Sequence, residues 1–410
     1  MTTEEVNPKG SLSEKGVSRQ DDGAKTLLSF LIALPLFLYR LFLLLHPLPM
    51  QDYISYWSAG RLFLLGGDPY SPSATLAMEQ ALGWSHPGPL VMLNPPWILP
   101  LVAPLAAVPF WPSHYFVFTA SLGIEILSSL ALWRYFGGEK RLQWIALIVM
   151  ATFLPAASAE HYGQVTPLIL GALTVFLFAI RRRQFALAGA LLVTFALKPH
   201  LLYLVLLAIV LWSIQNRKWV VLVSGPVCAV VATLGSIAFN PKVLGYFSGT
   251  VHAALISPCG IGGYLRSVFG WHHVWLQFLP CVAGLGWFGV YWMRHRRVWV
   301  WEERIPLLLL VSIGSAAYFW KHDFILALPA LIALAIQVSR VRIWPLATLL
   351  YVAVQLLILI PDETVHECVL SLLWIALYWF LSLVCARRLE ASKRDELPAQ
   401  NGGRALAVEG

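Results

Sequence analysis

Charged residues are scarce in this sequence. Of its 410 residues, only 12% are Asp, Glu, Lys or Arg, whereas 58% are hydrophobic. An ordinary soluble domain carries about 25% charged residues. The polar surface is too small to cover a water-soluble globule, which excludes that class and predicts an integral membrane protein. The 18 Trp and 14 Tyr are also typical of aromatic belts at membrane interfaces.

Cysteine and metal-ligand patterns are equally sparse. The cysteines form no CxxC pair and no Cys/His spacing typical of zinc. His272-His273 and His366-Glu367-Cys368 lack further ligands at metal spacing. We therefore expect no disulfide framework, no metal site and no cofactor. The five cysteines are Cys228, Cys259, Cys281, Cys368 and Cys385.

The net charge of +8 does not indicate a nucleic-acid partner. Lys and Arg fall in short clusters between apolar runs, which is the distribution of topogenic charges in membrane proteins and not a basic face. We expect membrane lipids, and no nucleic acid, as the surroundings of this chain.

No cleavable signal peptide, internal repeat or separate soluble domain is evident. Residues 1–25 are polar and are predicted to form a disordered cytoplasmic tail. The first apolar run is too long for the h-region of a signal peptide. Residues 26–388 are predicted to form one transmembrane domain, followed by a second cytoplasmic tail at 389–410.

Apolar runs separated by polar turns predict an all-α, polytopic bundle of about 12 membrane spans. Some runs are shorter than the roughly 20 residues that cross the hydrocarbon layer, so their ends are expected to include residues of the adjoining turns. The predicted spans are residues 26–47, 114–134, 142–159, 165–180, 185–197, 200–215, 219–238, 273–293, 305–319, 323–338, 343–360 and 368–386.

Lys and Arg are distributed unevenly between the two sets of connections. One set, together with both termini, carries 23 of the 29 Lys and Arg residues, and the opposite set carries five. The positive-inside rule therefore predicts that both termini are cytoplasmic. The five residues of the opposite, outer set are Arg61, Lys198, Lys242, Arg266 and Lys321.

Residues 94–110 are apolar enough to resemble a further span. Counting them as a crossing would place the basic segment 134–141 outside and invert every later connection. Five prolines also oppose a continuous helix. We predict that these residues form a short re-entrant or interfacial helix on the outer side. Two long outer loops then result, at about 48–113, which contains this helix, and at about 239–272.

Polar groups beside apolar spans are costly, and they indicate function by default. Separate stretches of the sequence bring such groups to the predicted outer face, where we expect a polar site. They are Asp52; Glu160, His161 and Gln164; Lys198 and His200; Tyr264 and Arg266; and Lys321, His322 and Asp323.

Each of these groups has a structural alternative. Asp52 follows the first span and is either a helix N-cap or a general base for a sugar hydroxyl. Lys198 is either a snorkelling lysine at a helix end or a phosphate contact. Lys321 and His322 either join the same anion site or belong to a plain interfacial loop.

The remaining polar groups are less informative. Glu160 and Gln164 either orient a substrate or pair across the bundle. Asp323 reads equally well as an N-cap. Arg266 lies in a loop where a single arginine is usually solvated, and Arg40 lies within the first span.

Several motifs, taken in order, resemble those of glycosyltransferase family 87, membrane enzymes of the GT-C type. The resemblance covers about residues 50–330. Beyond Asp52, the motifs are GGDPYSP (66–72), NPPWILPLVAPLAAVP (94–109), GQVTPLILGAL (163–173), AGALLVTFALKPHLL (188–202) and FWKHDFILALP (319–329).

The resemblance implies transfer of a sugar, typically mannose, from a polyprenyl-phosphate donor to a lipid or glycan acceptor. It places the reaction at the outer face of the bacterial cytoplasmic (inner) membrane. Asp52 matches the acidic catalytic base of the first outer loop in GT-C enzymes, in a single inverting displacement. The expected contacts of the departing phosphate are Lys198, His200, Lys321, His322 and Arg266, and the expected substrate-positioning residues are Glu160, His161, Gln164 and Tyr264.

Two other functions share these features. A transporter or flippase of lipid-linked sugars would also need many spans and charged groups, and a polyprenyl-diphosphate glycan polymerase or ligase would share the lipid chemistry. Transporters often contain repeats with broken helices at the bilayer midplane. Here the polar groups gather on one predicted face and no repeat is visible, which favours the enzyme.

Overall fold

The computed structural model describes residues 28, 31–42, 51–250, 259–359, 366 and 369–395. All regular structure in these residues is α- or 3-10-helical, which confirms the predicted all-α class. The predicted tail at 1–25, residues 396–410 of the second tail, and Glu367 and Cys368 lie outside the described residues.

The helices follow one another with short connections. The first four are α1 (Leu31–Phe42), α2 (Gln51–Leu64), α3 (Pro72–Ala81) and α4 (Leu99–Ala107), the last after a 3-10 turn at Pro96–Ile98. Next come α5 (Phe110–Tyr135), α6 (Trp144–Thr152), α7 (Leu154–Tyr162), α8 (Thr166–Arg181), α9 (Phe185–Ala190) and α10 (Leu192–Phe195). Then follow α11 (Tyr203–Gln215), α12 (Trp219–Phe239), α13 (Val243–Thr250), α14 (Ile261–Phe269) and α15 (Leu279–His295). The last are α16 (Trp301–Gly314), α17 (Leu328–Val341), α18 (Trp344–Leu359) and α19 (Leu373–Asp395), with 3-10 segments Val274–Phe278 before α15 and Lys321–Ala327 before α17.

Four helical segments of the described chain are long and apolar enough to cross a membrane. A fifth is obtained if α6, with its preceding 3-10 turn, and α7 count as one span bent by 56°. The described part of the chain is therefore all-helical, and its apolar helices indicate a membrane protein. The four segments are Phe110–Tyr135, Trp219–Phe239, Val274–His295 and Lys321–Val341.

Every one of the 12 predicted spans overlaps a helix of the described residues. Several of these helices have only 10–17 residues, such as α11 and α18, and α9 and α10 divide one predicted span. A straight helix needs about 20 residues to cross the hydrocarbon layer. The count of 12 crossings and the GT-C type therefore stay predictions.

The long helices differ in what surrounds them. The segment ending in α17 has 78% of its most apolar window buried and is the central helix of the bundle. The corresponding window of α12 is only 17% buried, and its valines Val223, Val227 and Val230 project outward. An apolar stripe at helical spacing without protein cover is the surface that a lipid bilayer would solvate.

The segment 94–110 forms a short helix, as its prolines predict. Helix α4 packs closely on α2, because Gly60 leaves no room for a side chain: a Cβ there would lie 2.8 Å from that of Ala106. The indole N–H of Trp57 donates to the Val108 carbonyl at 3.0 Å, which adds a hydrogen bond between α2 and the residue that follows α4. The short helix thus holds the position of α2, whose first turn contains Asp52.

The basic connections gather at one end of the bundle. Arg181, at the end of α8, contacts Glu302 at 2.8 Å and donates to the Tyr135 carbonyl at 3.1 Å. Arg340, near the end of α17, donates to the Gly137 carbonyl at 3.4 Å. Gln164 precedes the opposite end of α8, a helix of 16 residues that spans about 24 Å.

A polar cluster at the end of the bundle opposite the basic loops

Asp52 lies in the first turn of α2, where a carboxylate interacts favourably with the helix dipole. Its side chain is half-buried. Burial raises the pKa of this carboxyl, while the nearby Lys198 ammonium and a hydrogen bond from Gln164 act in the opposite direction. Tyr56, one helical turn later, also lies close to Asp52. The result is a carboxylate more basic than an exposed aspartate.

Gln164 is turned toward Asp52 by the end of helix α7. Gly163 adopts a left-handed conformation with φ of 64°, which ends the helix as glycine commonly does. The Gln164 amide nitrogen then donates to an Asp52 carboxylate oxygen. Its other amide atom, Oε1, accepts from the Lys198 ammonium at 2.8 Å. Gln164 therefore bridges a carboxylate and a cation.

Lys198 follows α10 in a turn that Pro199 prevents from continuing as a helix. Its Nζ atom lies 2.7 Å from the Asp323 carboxylate as well as bonding Gln164. The lysine side chain is 14% exposed, so the ammonium is largely withdrawn from solvent. We call Asp52, Gln164, Lys198 and Asp323 the carboxylate–lysine chain.

Asp323 combines two roles in this chain. One carboxylate oxygen accepts from the Trp320 backbone N–H at 2.9 Å, so Asp323 closes the start of its 3-10 segment from the third position, and Trp320 takes the N-cap position that the sequence offered to Asp323. The other oxygen pairs with Lys198. The side chain is fully buried, and a buried carboxylate without such partners would be costly.

Two histidines flank the chain. The ring of His200 stacks on Tyr318 at 4.0 Å, and that of His322 lies 5.6 Å from the ring of Tyr162. Burial lowers the pKa of His200 to about 4, so it is neutral at pH 7. Among the described residues, neither Nε2 atom has a hydrogen-bond partner, although the His322 atom lies 3.9 Å from Asp323. A neutral imidazole can offer that nitrogen to a ligand as a donor or an acceptor.

His161 and Lys321 line a cavity next to the chain. Its volume is about 600 Å³, counting the space open to solvent at its mouth. Tyr39, Ile358 and Leu359 contribute apolar or aromatic walls. The two basic residues thus stand at the side of a groove.

Glu160 and Arg266 are not brought to the chain. Glu160 pairs with Arg40 in the interior of the bundle, which is the second of the two alternatives that its sequence position left open. Arg266 lies in helix α14, is 4% exposed and donates to Gln277 at 2.9 Å. The expectation of a solvated loop arginine is therefore wrong, because its guanidinium is buried and bonded within the protein. Tyr264 lies on the same short helix as Arg266, and its ring centroid is 6.1 Å from that of His366.

Two residues, Tyr56 and Tyr318, join the cluster without having been singled out in the sequence. Asp323 was listed among the polar groups of the predicted outer face, with an N-cap as its alternative, but no role in the reaction was assigned to it. Both tyrosines interact electrostatically with Asp323. The signal available for Tyr56 was its spacing of four residues from Asp52, which places both on one helix face.

Within the described ranges, no group of three or more His, Cys, Asp or Glu residues is arranged to hold a metal ion. The cluster instead offers carboxylates, one amide, one lysine and two neutral histidines. Such a set can accept a proton, donate hydrogen bonds and stabilise an anion.

A family model described as glycosyltransferase family 87 matches residues 93–315. The matched range contains Gln164, Lys198 and His200, and it ends shortly before Asp323. No curated protein and no solved structure matches this chain.

Proposed function

Because this chain belongs to glycosyltransferase family 87, we propose that it transfers mannose from a polyprenyl-phosphate donor to a lipid or glycan acceptor. The observation that carries the proposal is the carboxylate–lysine chain, in which one glutamine amide bonds a half-buried carboxylate through its nitrogen and a lysine ammonium through its oxygen. Glycosyl transfer from a lipid phosphate needs both groups, one for the acceptor hydroxyl and one for the departing phosphate.

Asp52 is the proposed base. Its raised pKa brings its proton affinity closer to neutral pH, which strengthens a general base as long as the group stays ionised. Lys198 and Gln164 act against that rise in the pKa and favour the ionised carboxylate. Gln164 is the proposed positioning residue, since its amide fixes one carboxylate oxygen and leaves the other to meet the hydroxyl.

The proposed reaction is one inverting displacement. The acceptor oxygen forms a bond to the sugar C1 while the bond from C1 to the phosphate oxygen breaks. The hydroxyl proton passes to Asp52, and the electron pair of the broken bond leaves with the lipid phosphate. Every atom and charge is accounted for by the donor, the acceptor and Asp52.

Lys198 and the two flanking histidines are the proposed contacts of the departing phosphate. Lys198 supplies positive charge, and a largely buried ammonium acts more strongly on an anion than one in water. His200 is neutral at pH 7 and contributes a hydrogen bond. The unpartnered Nε2 atoms of His200 and His322 are suited to the same role.

His161 and Lys321 are proposed to meet the substrate from the adjoining cavity, whose largely apolar wall suits a lipid chain. Tyr264 is also proposed to contact the substrate. Glu160 and Arg266 are left out of the proposed site, because their charged groups are bonded elsewhere in the protein.

The proposed location is the outer face of the bacterial cytoplasmic membrane, with both termini inside. The basic connections lie at the end of the bundle opposite the carboxylate–lysine chain. Basic connections are usually cytoplasmic, so the chain of polar residues would face outward.

The test is a transfer assay with the purified protein, radiolabelled polyprenyl-phosphate mannose and a membrane lipid extract. Asp52→Asn keeps the shape of the side chain and removes the base, so we expect the transfer rate to fall about 10²- to 10⁴-fold. Asp68→Asn is the matched control, because Asp68 caps a turn by accepting from Tyr70 N–H at 2.8 Å and lies outside the carboxylate–lysine chain.

Equal transfer rates for the wild type and Asp52→Asn would remove Asp52 as the base. If no polyprenyl-phosphate sugar is used but labelled lipid crosses vesicle membranes, the chain is a transporter and the proposed reaction is wrong.

A further inference from the structure

A second group of ionisable side chains lies inside the bundle and shares no residue with the carboxylate–lysine chain. Arg40 of α1 donates through one nitrogen, Nη2, to Glu125 of α5 at 2.9 Å and to Glu160 of α7 at 2.6 Å. Its other terminal nitrogen donates to the Met150 carbonyl at 2.5 Å. We call Arg40, Glu125 and Glu160 the buried triad; their exposed fractions are 3%, 0% and 1%.

The charges of the buried triad do not balance if both carboxyls are ionised. One guanidinium would then face two carboxylates, leaving a net negative charge with almost no solvent contact. The other polar groups packed nearby, from α6 and α18, are neutral: the Met150 carbonyl, Thr152, Tyr351 and Gln355. His161 follows Glu160 in sequence but lines the cavity that Lys321 also lines. An unbalanced charge in such surroundings is costly unless a proton neutralises it.

Two oxygen atoms of the buried triad show where that proton would lie. Oε1 of Glu125 and Oε2 of Glu160 are both buried, and among the described residues neither has a hydrogen-bond partner. The two carboxyls are within reach of each other, since both bond the same guanidinium nitrogen. Two ionised carboxylates cannot form a hydrogen bond with each other, because neither carries a donor hydrogen. One proton between them would satisfy both orphaned oxygens at once.

We propose that Glu125 carries a proton at neutral pH and donates it in a hydrogen bond to the Glu160 carboxylate, so that the buried triad is neutral. Glu160 keeps the negative charge because it makes the shorter contact with Arg40. Glu125 is the acid because it has no exposed surface. The buried triad is then a proton-binding site that joins three helices without a net charge.

The buried triad attaches helix α1 to the rest of the bundle. Most of its large side chains, such as Phe37, Leu38 and Phe42, are exposed toward the surroundings. Leu36 packs in a small cluster with Leu154 and Val352, and Arg40 supplies the polar anchor. A neutral triad holds α1 to the bundle at the cost of one bound proton.

The experiment is infrared spectroscopy of the full-length protein in lipid nanodiscs, recorded in H2O and in D2O at neutral pH. A protonated carboxylic acid has a carbonyl band, sensitive to deuteration, that a carboxylate lacks. We expect this band in the wild type and its loss in Glu125→Gln. We also expect its loss in Glu160→Gln, because the remaining Glu125 would ionise beside Arg40. Glu139→Gln is the control, since that residue forms an exposed pair with Arg141 and should leave the band unchanged.

Thermal unfolding of the same samples provides a second readout that does not depend on activity or on the proposed function. Glu125→Gln should keep the wild-type midpoint, because a neutral amide replaces a neutral acid of similar shape. The double variant Glu125→Gln/Glu160→Gln should lose stability or fail to fold, because Arg40 is then buried without a counterion. The proposal is overturned if the band persists in both single variants, is absent from the wild type, or if Glu125→Gln is as unstable as the double variant.

Discussion

The carboxylate–lysine chain and the buried triad use the same chemistry for different ends. Both join one cation to two carboxyls from segments that are distant in sequence. Arg40 bonds both of its carboxyls directly, whereas Lys198 bonds Asp323 directly and reaches Asp52 through Gln164. In the buried triad no member is more than 3% exposed. In the carboxylate–lysine chain Asp52 is half-buried, Lys198 is 14% exposed, and neighbouring histidine nitrogens lack partners.

The difference separates a structural cluster from a site. A sealed cluster can balance its charge only with a proton, and it offers nothing to a ligand. A half-open cluster with unpaired donors can be completed by a substrate. Burial of charge alone would have ranked the buried triad first, whereas access and unsatisfied atoms favour the carboxylate–lysine chain.

The largest effect is expected on stability, from a substitution that breaks the buried triad. Arg40→Met removes the only cation that bonds Glu125 and Glu160 in the described residues, so we expect the free energy of unfolding to fall by about 3–5 kcal/mol. Thermal or denaturant unfolding in detergent measures the change. Arg141→Met is the control, because that arginine belongs to an exposed pair and should have little effect. Equal losses for the two variants would contradict the role of the buried triad in stability.

The next effect should fall on activity. Lys198→Met removes the proposed cation of the phosphate site, and we expect the transfer rate to fall about 10²- to 10³-fold. Lys242→Met is the matched control, since the Lys242 side chain is exposed and its backbone N–H donates to the Asn240 side chain. A rate for Lys198→Met that stays within a few-fold of this control would argue against phosphate binding by Lys198.

A smaller effect concerns the pH dependence of transfer. A base acts only when deprotonated, and burial raises the pKa of Asp52 above its ordinary value of 3.8, so the acidic limb of the rate profile should lie above that value. Lys198 lowers this pKa, and its removal should therefore move the limb further upward. The residual activity of Lys198→Met, followed against pH, measures the shift. A limb that stays in place or moves downward would contradict the coupling of Asp52 to Lys198.

The smallest effect is on stability against pH. Burial lowers the pKa of His200 from 6.5 to about 4, so between these values the unfolded chain binds a proton that the folded protein excludes. The contribution of His200 therefore makes stability rise as pH increases from about 4 to 6.5. His200→Asn should flatten this part of the curve of unfolding midpoint against pH. An unchanged slope would mean that His200 does not titrate as its burial implies.

The sequence was informative where a property depends on local composition. Residues 94–110 could be recognised as a short helix because prolines limit helix length whatever surrounds them. The helix end at Gly163 and the turn at Pro199 follow from the same local rules. Helix lengths were less predictable, since several predicted spans are short or broken in the structure.

The site was predictable only in part. Gln164 and Glu160 stand four residues apart and looked alike in sequence, yet Gln164 faces Asp52 and Glu160 faces Arg40. The left-handed turn at Gly163 separates their directions. Arg266 looked like a loop residue because its helix α14 contains two glycines, and its buried partner Gln277 comes from the next segment.

By itself, the sequence determined that this protein is helical, belongs in a membrane and carries its basic connections in one set of loops. It also resembled glycosyltransferase family 87, and the family match over residues 93–315 confirms the family. These properties follow from composition and spacing along the chain. Only the tertiary structure decided which charged side chains form pairs. Lys198 and Asp323 are 125 residues apart, and Arg40 and Glu160 are 120 apart, so packing of distant helices selects their partners.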